Sequence, residues 1–476
     1  MISQKRKAIF MLSILFTLLC FGSALSFPAS CTAEIKPAGR QIARQGPLTE
    51  REQQWAQTAW SYFKNNVNPD TGLAGAQPNY APFTMWDLSA HMAAILSANE
   101  LGLIDDKEFD SRIRKIISWL NVMELFRGDL PNQFYSADNG AMVDWANQPG
   151  ALGWSALDLG RLLIWLRIIK ERHPEYSQQI DKAVMRWNWT KLMDRNGTMF
   201  GASYYQRDEN NLIHYAEGRL GYEEYAARGF ALWGANTDAA SKIDPYSTIT
   251  IYGVPVPFDA REPENQHAPN FVVTENFVLD GIEHNWDLPE NRNTSVTRHT
   301  DPMQAKFAWA VYKAQESRFL NTGILTAKTE DAVDQAPYFV YDTILGHGIP
   351  WATMSHEGKA MPQLACLNTK AALGLWVLFK SDYTDLLAEV ASTMFEPDKG
   401  FYVGRYEKTG KINKAITLNG NGVIMEILLY KAQGKLLKYS EKESYWDKFF
   451  KTNSLPGKAL PPWKYQPYIT IHKYDP

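Results

Sequence analysis

The chain has 476 residues, 45% of them hydrophobic, and a formal net charge of −3. That is ample material for a large core, and without a long run of one charge sign nothing tracks a phosphate backbone, which excludes a nucleic-acid binder. With 16 Trp and 23 Tyr, a neutral oligo- or polysaccharide suits the composition better than a polyanion does, because flat ring faces fit the C–H faces of sugars.

Lys5, Arg6 and Lys7 precede an apolar run from Ala8 to Leu25, and Ala24-Leu25-Ser26 offers a small-residue cleavage site. Residues 1–26 therefore read as a signal peptide and predict a periplasmic or secreted protein. A retained anchor is the alternative, and membrane contact is expected only through this segment. Of three cysteines, Cys20 lies inside the apolar run, so only Cys31 and Cys366 survive cleavage and no disulfide framework is expected. Residues 27–48 are polar and proline-bearing, a linker.

From Thr49 the pattern is helical. The stretch DDKEFDSRIRKIISWLNVMEL places Phe109, Ile113, Ile116, Leu120 and Met123 on one stripe. EREQQWAQTAWSYFKNN, YSQQIDKAVMRWNWTKLM, TDPMQAKFAWAVYKAQESRFL and DYTDLLAEVASTMF are of the same amphipathic kind. Between them stand six helices of another kind, each opening on a polar or aromatic phrase. The openings are Thr84-Met85-Trp86-Asp87, Gly153-Trp154-Ser155, Tyr222-Glu223-Glu224-Tyr225, Thr274-Glu275-Asn276, Leu367-Asn368-Thr369-Lys370 and Asn419-Gly420-Asn421-Gly422. Alanine and glycine on several faces mark these six as helices touched on all sides. Alternation of one-striped and all-round buried helices predicts two concentric rings, an (α/α)6 toroid over residues 49–435. Short β-hairpins on its rim are expected at TITIYGVPVPF (248–258) and at FYVGRY with KINKAITL. Residues 436–476 read as a helix and an extended tail packed on the toroid.

An internal repeat supports the ring. Asn68-Pro69-Asp70-Thr71-Gly72, Met193-Asp194-Arg195-Asn196-Gly197 and Glu396-Pro397-Asp398-Lys399-Gly400 each leave an amphipathic helix through an Asp/Gly turn and lead toward a buried one.

No HExxH, Cys/His cluster, phosphate loop or GxSxG elbow is present, so no metal and no cofactor is expected. Carboxylates remain. Glycoside hydrolysis needs one protonated acid for the leaving oxygen and one ionised partner. The catalytic candidates are Glu223 as general acid, between two tyrosines, with Glu275 or Asp87 as its partner; Glu217, Asp301 and Glu357 lie in flanking loops. An N-cap or first-turn carboxylate is the competing reading of each. Trp86, Trp154, Tyr222 and Tyr225 are candidates for stacking on sugars. Arg219, Asn368, Lys370, Asn419 and Asn421 are candidates for bonding hydroxyls, and Glu357 lies in a loop polar enough to line the cleft.

The stretches TMWDLSAHMAAILSANELGLI, GWSALDLGRLLIWL, GRLGYEEYAARGFALWG, VTENFVLDGIE and LNGNGVIMEILLYKAQG together resemble the bacterial domain-of-unknown-function family 3131, over roughly residues 50–435. The resemblance implies a relative of glucoamylase-like (α/α)6 proteins, a group that includes β-1,2-glucan-degrading enzymes. YEEY is also similar to the paired-glutamate phrase of glucoamylases, whose first glutamate is the general acid; that role carries over to Glu223, and no second catalytic glutamate has a counterpart. The expected function is a glycoside hydrolase or transglycosylase acting on a glucan or exopolysaccharide. A non-catalytic polysaccharide-binding or assembly subunit would keep the aromatic residues without opposed carboxylates. A polysaccharide lyase would recruit Arg219 and Tyr222, and the lack of a basic cluster weighs against it.

Overall fold

The computed structural model describes residues 43–204, 208–217, 220–243, 245–261, 270–289 and 299–439. The expected signal segment, the linker up to residue 42 and the tail from residue 440 lie outside them, as does Arg219. Eleven α-helices occur among the described residues: α1 (Glu50–Asn65), α2 (Met85–Glu100), α3 (Asp106–Val122), α4 (Ala156–Arg172), α5 (Ser177–Met185), α6 (Tyr222–Leu232), α7 (Glu275–His284), α8 (Pro302–Thr322), α9 (Thr369–Leu378), α10 (Asp382–Ala391) and α11 (Leu418–Gln433). Helices α2, α4, α6, α7, α9 and α11 touch one another in that order, and α11 closes on α2. They are the inner ring of an (α/α)6 toroid, and they are the six helices whose opening phrases stand out in the sequence.

The two helix types differ in burial as their patterns predict. Fifteen residues of α4 are buried, from Ala156 to Glu171 with Asp158 the exception. Helix α3 buries one stripe, Phe109, Ile113, Ile116, Ile117 and Leu120, each worth about 1.5–3 kcal/mol against exposure to water. Side-chain caps start most of these helices. Thr84 and Asp87 form a reciprocal capping box on α2, Ser155 caps α4, and Asn368 and Thr417 cap α9 and α11.

The Asp/Gly repeats fold alike. Each is a tight antiparallel turn, bridged at Val67 and Ala74, at Met193 and Met199, and paired at Phe395 and Phe401. Both expected hairpins form: Tyr246–Ile251 pairs with Val254–Asp259, and Gly404–Tyr406 pairs with Ile412–Asn413. The described residues between α6 and α7 thus supply a β-hairpin, packed on α8. Residues 43–48, the end of the expected linker, lie on the helices: the Arg44 and Gly46 amides donate to Val377 and Lys431 carbonyls at 2.8 Å. Cys366 is buried, as expected of a small hydrophobe. Among the described residues no helix is long and apolar enough to cross a membrane.

Small residues let the inner helices approach. A Cβ on Gly229 of α6 would lie 2.0 Å from the Gly160 carbonyl oxygen of α4. That neighbour is backbone and cannot rotate away. Gly229→Ala is therefore expected to cost about 3 kcal/mol, the upper end of the overpacking range, read as a lower urea midpoint at unchanged slope. Gly150→Ala, where nothing stands within 4 Å, should leave the midpoint where it is.

Candidate active site

The N-terminal turns of all six inner helices meet in one polar cluster. Glu275, the first residue of α7, is its hub. Its Oε1 accepts from the indole Nε1 of Trp86 on α2 at 3.1 Å and from Asn419 Nδ2 on α11 at 2.8 Å. Its Oε2 lies 2.6 Å from Lys370 Nζ on α9, which also reaches Asp331 at 3.2 Å. Arg161 of α4 sits 4.6 Å from the centre of the Trp86 ring and donates to Asn419 Oδ1 at 2.8 Å. Tyr222 and Tyr225 of α6 pack on that indole at 5.5 and 5.9 Å.

Charge compensation in this cluster is close. Burial would raise the Glu275 carboxyl, but Lys370 and Arg161 outweigh it and hold it below its usual value. Burial likewise opposes charge on Lys370, yet Asp331 and Glu275 push it up to about 12. Behind them Arg161 pairs with Glu426 at 2.7 Å, both without solvent contact. Glu283 accepts from Trp165 Nε1 at 2.8 Å and from the Tyr225 hydroxyl at 2.7 Å. Burial lifts Glu426 well above the carboxylate range despite Arg161, and Glu283 adds repulsion.

A second set of carboxyls keeps part of its surface in solvent. Asp87, Asp158 and Glu217 are half-buried around the starts of α2 and α4. Asp87 Oδ2 accepts from the Thr84 amide at 3.0 Å and hydroxyl at 3.2 Å. Burial and the neighbouring Asp87 charge push Asp158 up to about 6, against hydrogen bonds from Ser155, Trp86 and Thr84. Glu217 accepts from the amides of Ala156 and of Leu157, the latter at 3.3 Å. Burial, then repulsion from Asp158, lifts it to about 7. In the YEEY phrase Glu224 caps its own helix, its Oε2 accepting from the Gly221 amide at 2.6 Å. Burial and Glu223 raise it to about 8. Glu223 points elsewhere, to Arg261 at 2.5 Å, which Asp259 shares at the same distance. Burial raises Glu223 in spite of that ion pair. Among the described residues no group of His, Cys, Asp and Glu has the arrangement to hold a metal ion.

The family model described as "Protein of unknown function (DUF3131)" matches residues 54–434. The chain belongs to the DUF3131 family. No curated protein matches it. Solved structures share its architecture at low identity. A candidate glucoamylase from Bacteroides caccae is 12% identical with a TM-score of 0.58, over 84% of this chain and 94% of that one. An endo-β-1,2-glucanase from Chitinophaga pinensis, in complex with sophorotriose and glucose, is 12% identical with a TM-score of 0.57, over 85% and 95%. An endo-β-1,2-glucanase from Talaromyces funiculosus, in complex with sophorose, is 10% identical with a TM-score of 0.52, over 81% and 84%. These likenesses establish the glucoamylase-like toroid.

Within this DUF3131 toroid the sequence candidates divide. Trp86, Glu275 and Lys370 meet in the hub with Tyr222 and Tyr225, and Asn368 joins through Asp331 at 2.9 Å. Tyr222 and Tyr225 are 2% and 0% exposed, so neither presents a ring face to solvent. Trp154 is buried too, its indole donating to the Phe200 carbonyl at 3.0 Å. Asn421 is bound to Phe401 and Thr417 backbone, holding the last repeat turn against α11. Glu357 is exposed, in a loop where it accepts from the Ser355 hydroxyl at 2.7 Å. Sequence reading passed over Asp158, Arg161, Asp331, Glu426 and Arg261. Two signals were present: Ser155-x-x-Asp158 repeats the Thr84-x-x-Asp87 pattern, and Arg161 and Glu426 are charges set inside the apolar runs LGRLL and VIMEILL.

Two outcomes follow from this electrostatic arrangement. Lys370→Met leaves Glu275 and Asp331 buried without their cation and is expected to cost about 3–5 kcal/mol in urea unfolding. Glu224, raised in the folded state to about 8, binds its proton more tightly folded than unfolded. Its contribution to stability is therefore full below its unfolded value and is lost as pH rises through about 8. Glu224→Gln should raise the melting temperature relative to wild type more at pH values above that point than in mild acid.

Proposed function

We propose that this chain is an exported glycoside hydrolase, or a transglycosylase, acting on a neutral glucan. The observation that carries the reading is the solvent-touching row Asp87, Asp158 and Glu217, whose carboxyls burial raises, Asp158 to about 6 and Glu217 to about 7. Glycosidic cleavage wants one carboxyl still protonated at working pH and one already ionised. In this reading Glu217 gives its proton to the leaving glycosidic oxygen as the C–O bond breaks. Asp158, with Asp87 beside it, takes a proton from the water that adds to the anomeric carbon. The glucoamylase-like phrase points instead to Glu223, which burial also raises; its carboxylate is engaged by Arg261 at 2.5 Å, which suits a residue that holds Arg261. Glu275, tied to Lys370, Asn419 and Trp86, positions the floor beneath. The fold likeness to an endo-β-1,2-glucanase and the near-neutral composition support a glucan. Export rests on Lys5–Lys7 and the apolar run that follows them.

The test is a panel of β-1,2-, β-1,3- and β-1,4-glucans and a uronate polymer, read by new reducing ends and by unsaturated product. Glu217→Gln and Asp158→Asn are each expected to lose roughly 10²–10⁴-fold in kcat/KM, and Glu223→Gln distinctly less. A larger loss in Glu223→Gln than in Glu217→Gln would return the acid role to Glu223. Binding without product on every polymer would mark a non-catalytic polysaccharide-binding subunit. Activity should follow a bell in pH: it rises as Asp158 ionises near about 6 and falls as Glu217 loses its proton near about 7. A profile flat across that interval rules out this acid and base pair.

A further inference from the structure

Type I′ hairpin turns need positive φ at both central residues and favour Asn, Asp or Gly at the first. The turn Tyr252-Gly253 joins Ile251 to Val254 with φ of 48° and 80°, and His347-Gly348 joins Gly346 to Ile349 with 48° and 76°. Tyr338 at 68° and Trp351 at 60° are two more rings in the same left-handed region. A bulky non-glycine residue there is an outlier, and such strain gathers at functional sites. Of the five rings there, counting the buried Trp286 at 49°, three, Tyr338, His347 and Trp351, fall within one 14-residue loop region, and Trp351 lies 6.4 Å from Tyr252, the planes 31° apart.

Two ring groups stand on this region, Tyr252 with the partly buried Trp351 and Tyr338 beside Phe339, and the Arg318 guanidinium that lies 4.6 Å over the Trp351 ring is paired with Glu407. Tyr338 is 66% exposed, Ile349 60%, and Phe339 and Tyr252 43% each. Phe339 lies 5.4 Å from Tyr341, which stacks at 6.4 Å on His356. Between Asp334 and Glu357 the only Asp, Glu, Lys or Arg is Asp342, and it is buried against Lys328. The patch also joins the acid site at two places. Strand Phe339–Asp342 pairs with Asp331–Ala332, and Asp331 holds Lys370. The base of the Tyr252 hairpin carries Asp259, whose partner Arg261 reaches Glu223.

We propose that Tyr252, Tyr338, Phe339 and Trp351 form a track that takes a neutral polysaccharide chain beyond the sugars held at the acid site. The natural substrate is then a polymer rather than a short oligosaccharide. The substrate class rests on the glycosidase reading above; the track itself rests on the rings. Arg318 over Trp351 is already paired with Glu407 and offers a polyanion little, and an anionic membrane finds no lysine or arginine cluster. Sugar rings need neither, only rigid flat faces, and turns of fixed φ supply them.

Native gels cast with each of the three glucans test the track. Wild type should be retarded by at least one polymer, and Tyr252→Asn/Tyr338→Asn should bind that polymer about tenfold more weakly. Asparagine suits the Tyr252 turn, so the melting temperature should hold or rise, and the rate on a trisaccharide of the same linkage should stay the same. Tyr252→Trp/Tyr338→Trp keeps the rings and should keep the retardation. Equal retardation of wild type and the asparagine variant overturns the track, as does loss of retardation in the tryptophan variant or none in wild type. Co-sedimentation of wild type, but not the asparagine variant, with phosphatidylcholine vesicles would assign the rings to a membrane and overturn it too. Product formation is read separately, so a wild type that is retarded but yields no product removes the catalytic reading and leaves the track.

Discussion

The carboxylate of Glu275 ties together four of the six inner helices, because it stands on α7 and accepts from side chains on α2, α9 and α11. Arg161 and the tyrosines of α6 bring in the other two through the face of Trp86. The small residues that let the inner helices approach do not themselves fix the register of the ring. The hub supplies that register with directional, charge-assisted bonds, which are shorter and stronger than neutral ones. Its position follows from polarity: every inner helix presents its N-terminus there, with unpaired amides and the positive end of its dipole.

That polarity also explains why acids gather on this face. Asp87, Asp158, Glu217, Glu224 and Glu275 all sit at or near inner-helix starts, and Asp87, Glu217 and Glu224 accept backbone amides there. The same elements that attract carboxylates also bury them, and the balance differs from site to site. Where a cation is in contact, as at Glu275, ionisation wins. Where only amides and hydroxyls are at hand, desolvation and a neighbouring carboxylate win, and they lift Asp158 to about 6 and Glu217 to about 7. One face of the toroid therefore carries fixed anions and acids ready to give up protons side by side, the mixture that glycosidic chemistry uses.

Much of the architecture was legible in the chain. Helices such as α3 and α4 differ so plainly in the spread of their apolar residues that ring membership could be read off each, and the repeated Asp/Gly turns marked the connections. The six opening phrases lie together at one end of the ring, and Trp86, Glu275, Lys370 and Asn419 do converge there. What the phrases left open is which way each of their residues faces. Within Tyr222-Glu223-Glu224-Tyr225, consecutive positions point about 100° apart, so Tyr225 turns inward to Glu283, Glu224 turns back to Gly221, and Glu223 turns to Arg261.

By itself, then, the sequence determined the helix periods, the caps and the polarity of the ring, because these depend on residues three and four apart. Only the tertiary structure decided which carboxyls are neutralised and which hold protons. Partners such as Lys370 and Glu275, or Arg161 and Glu426, are separated by 95 and 265 residues of chain, and burial depends on every element around them. Charge state is a property of the neighbourhood, and the neighbourhood exists only once the ring has closed.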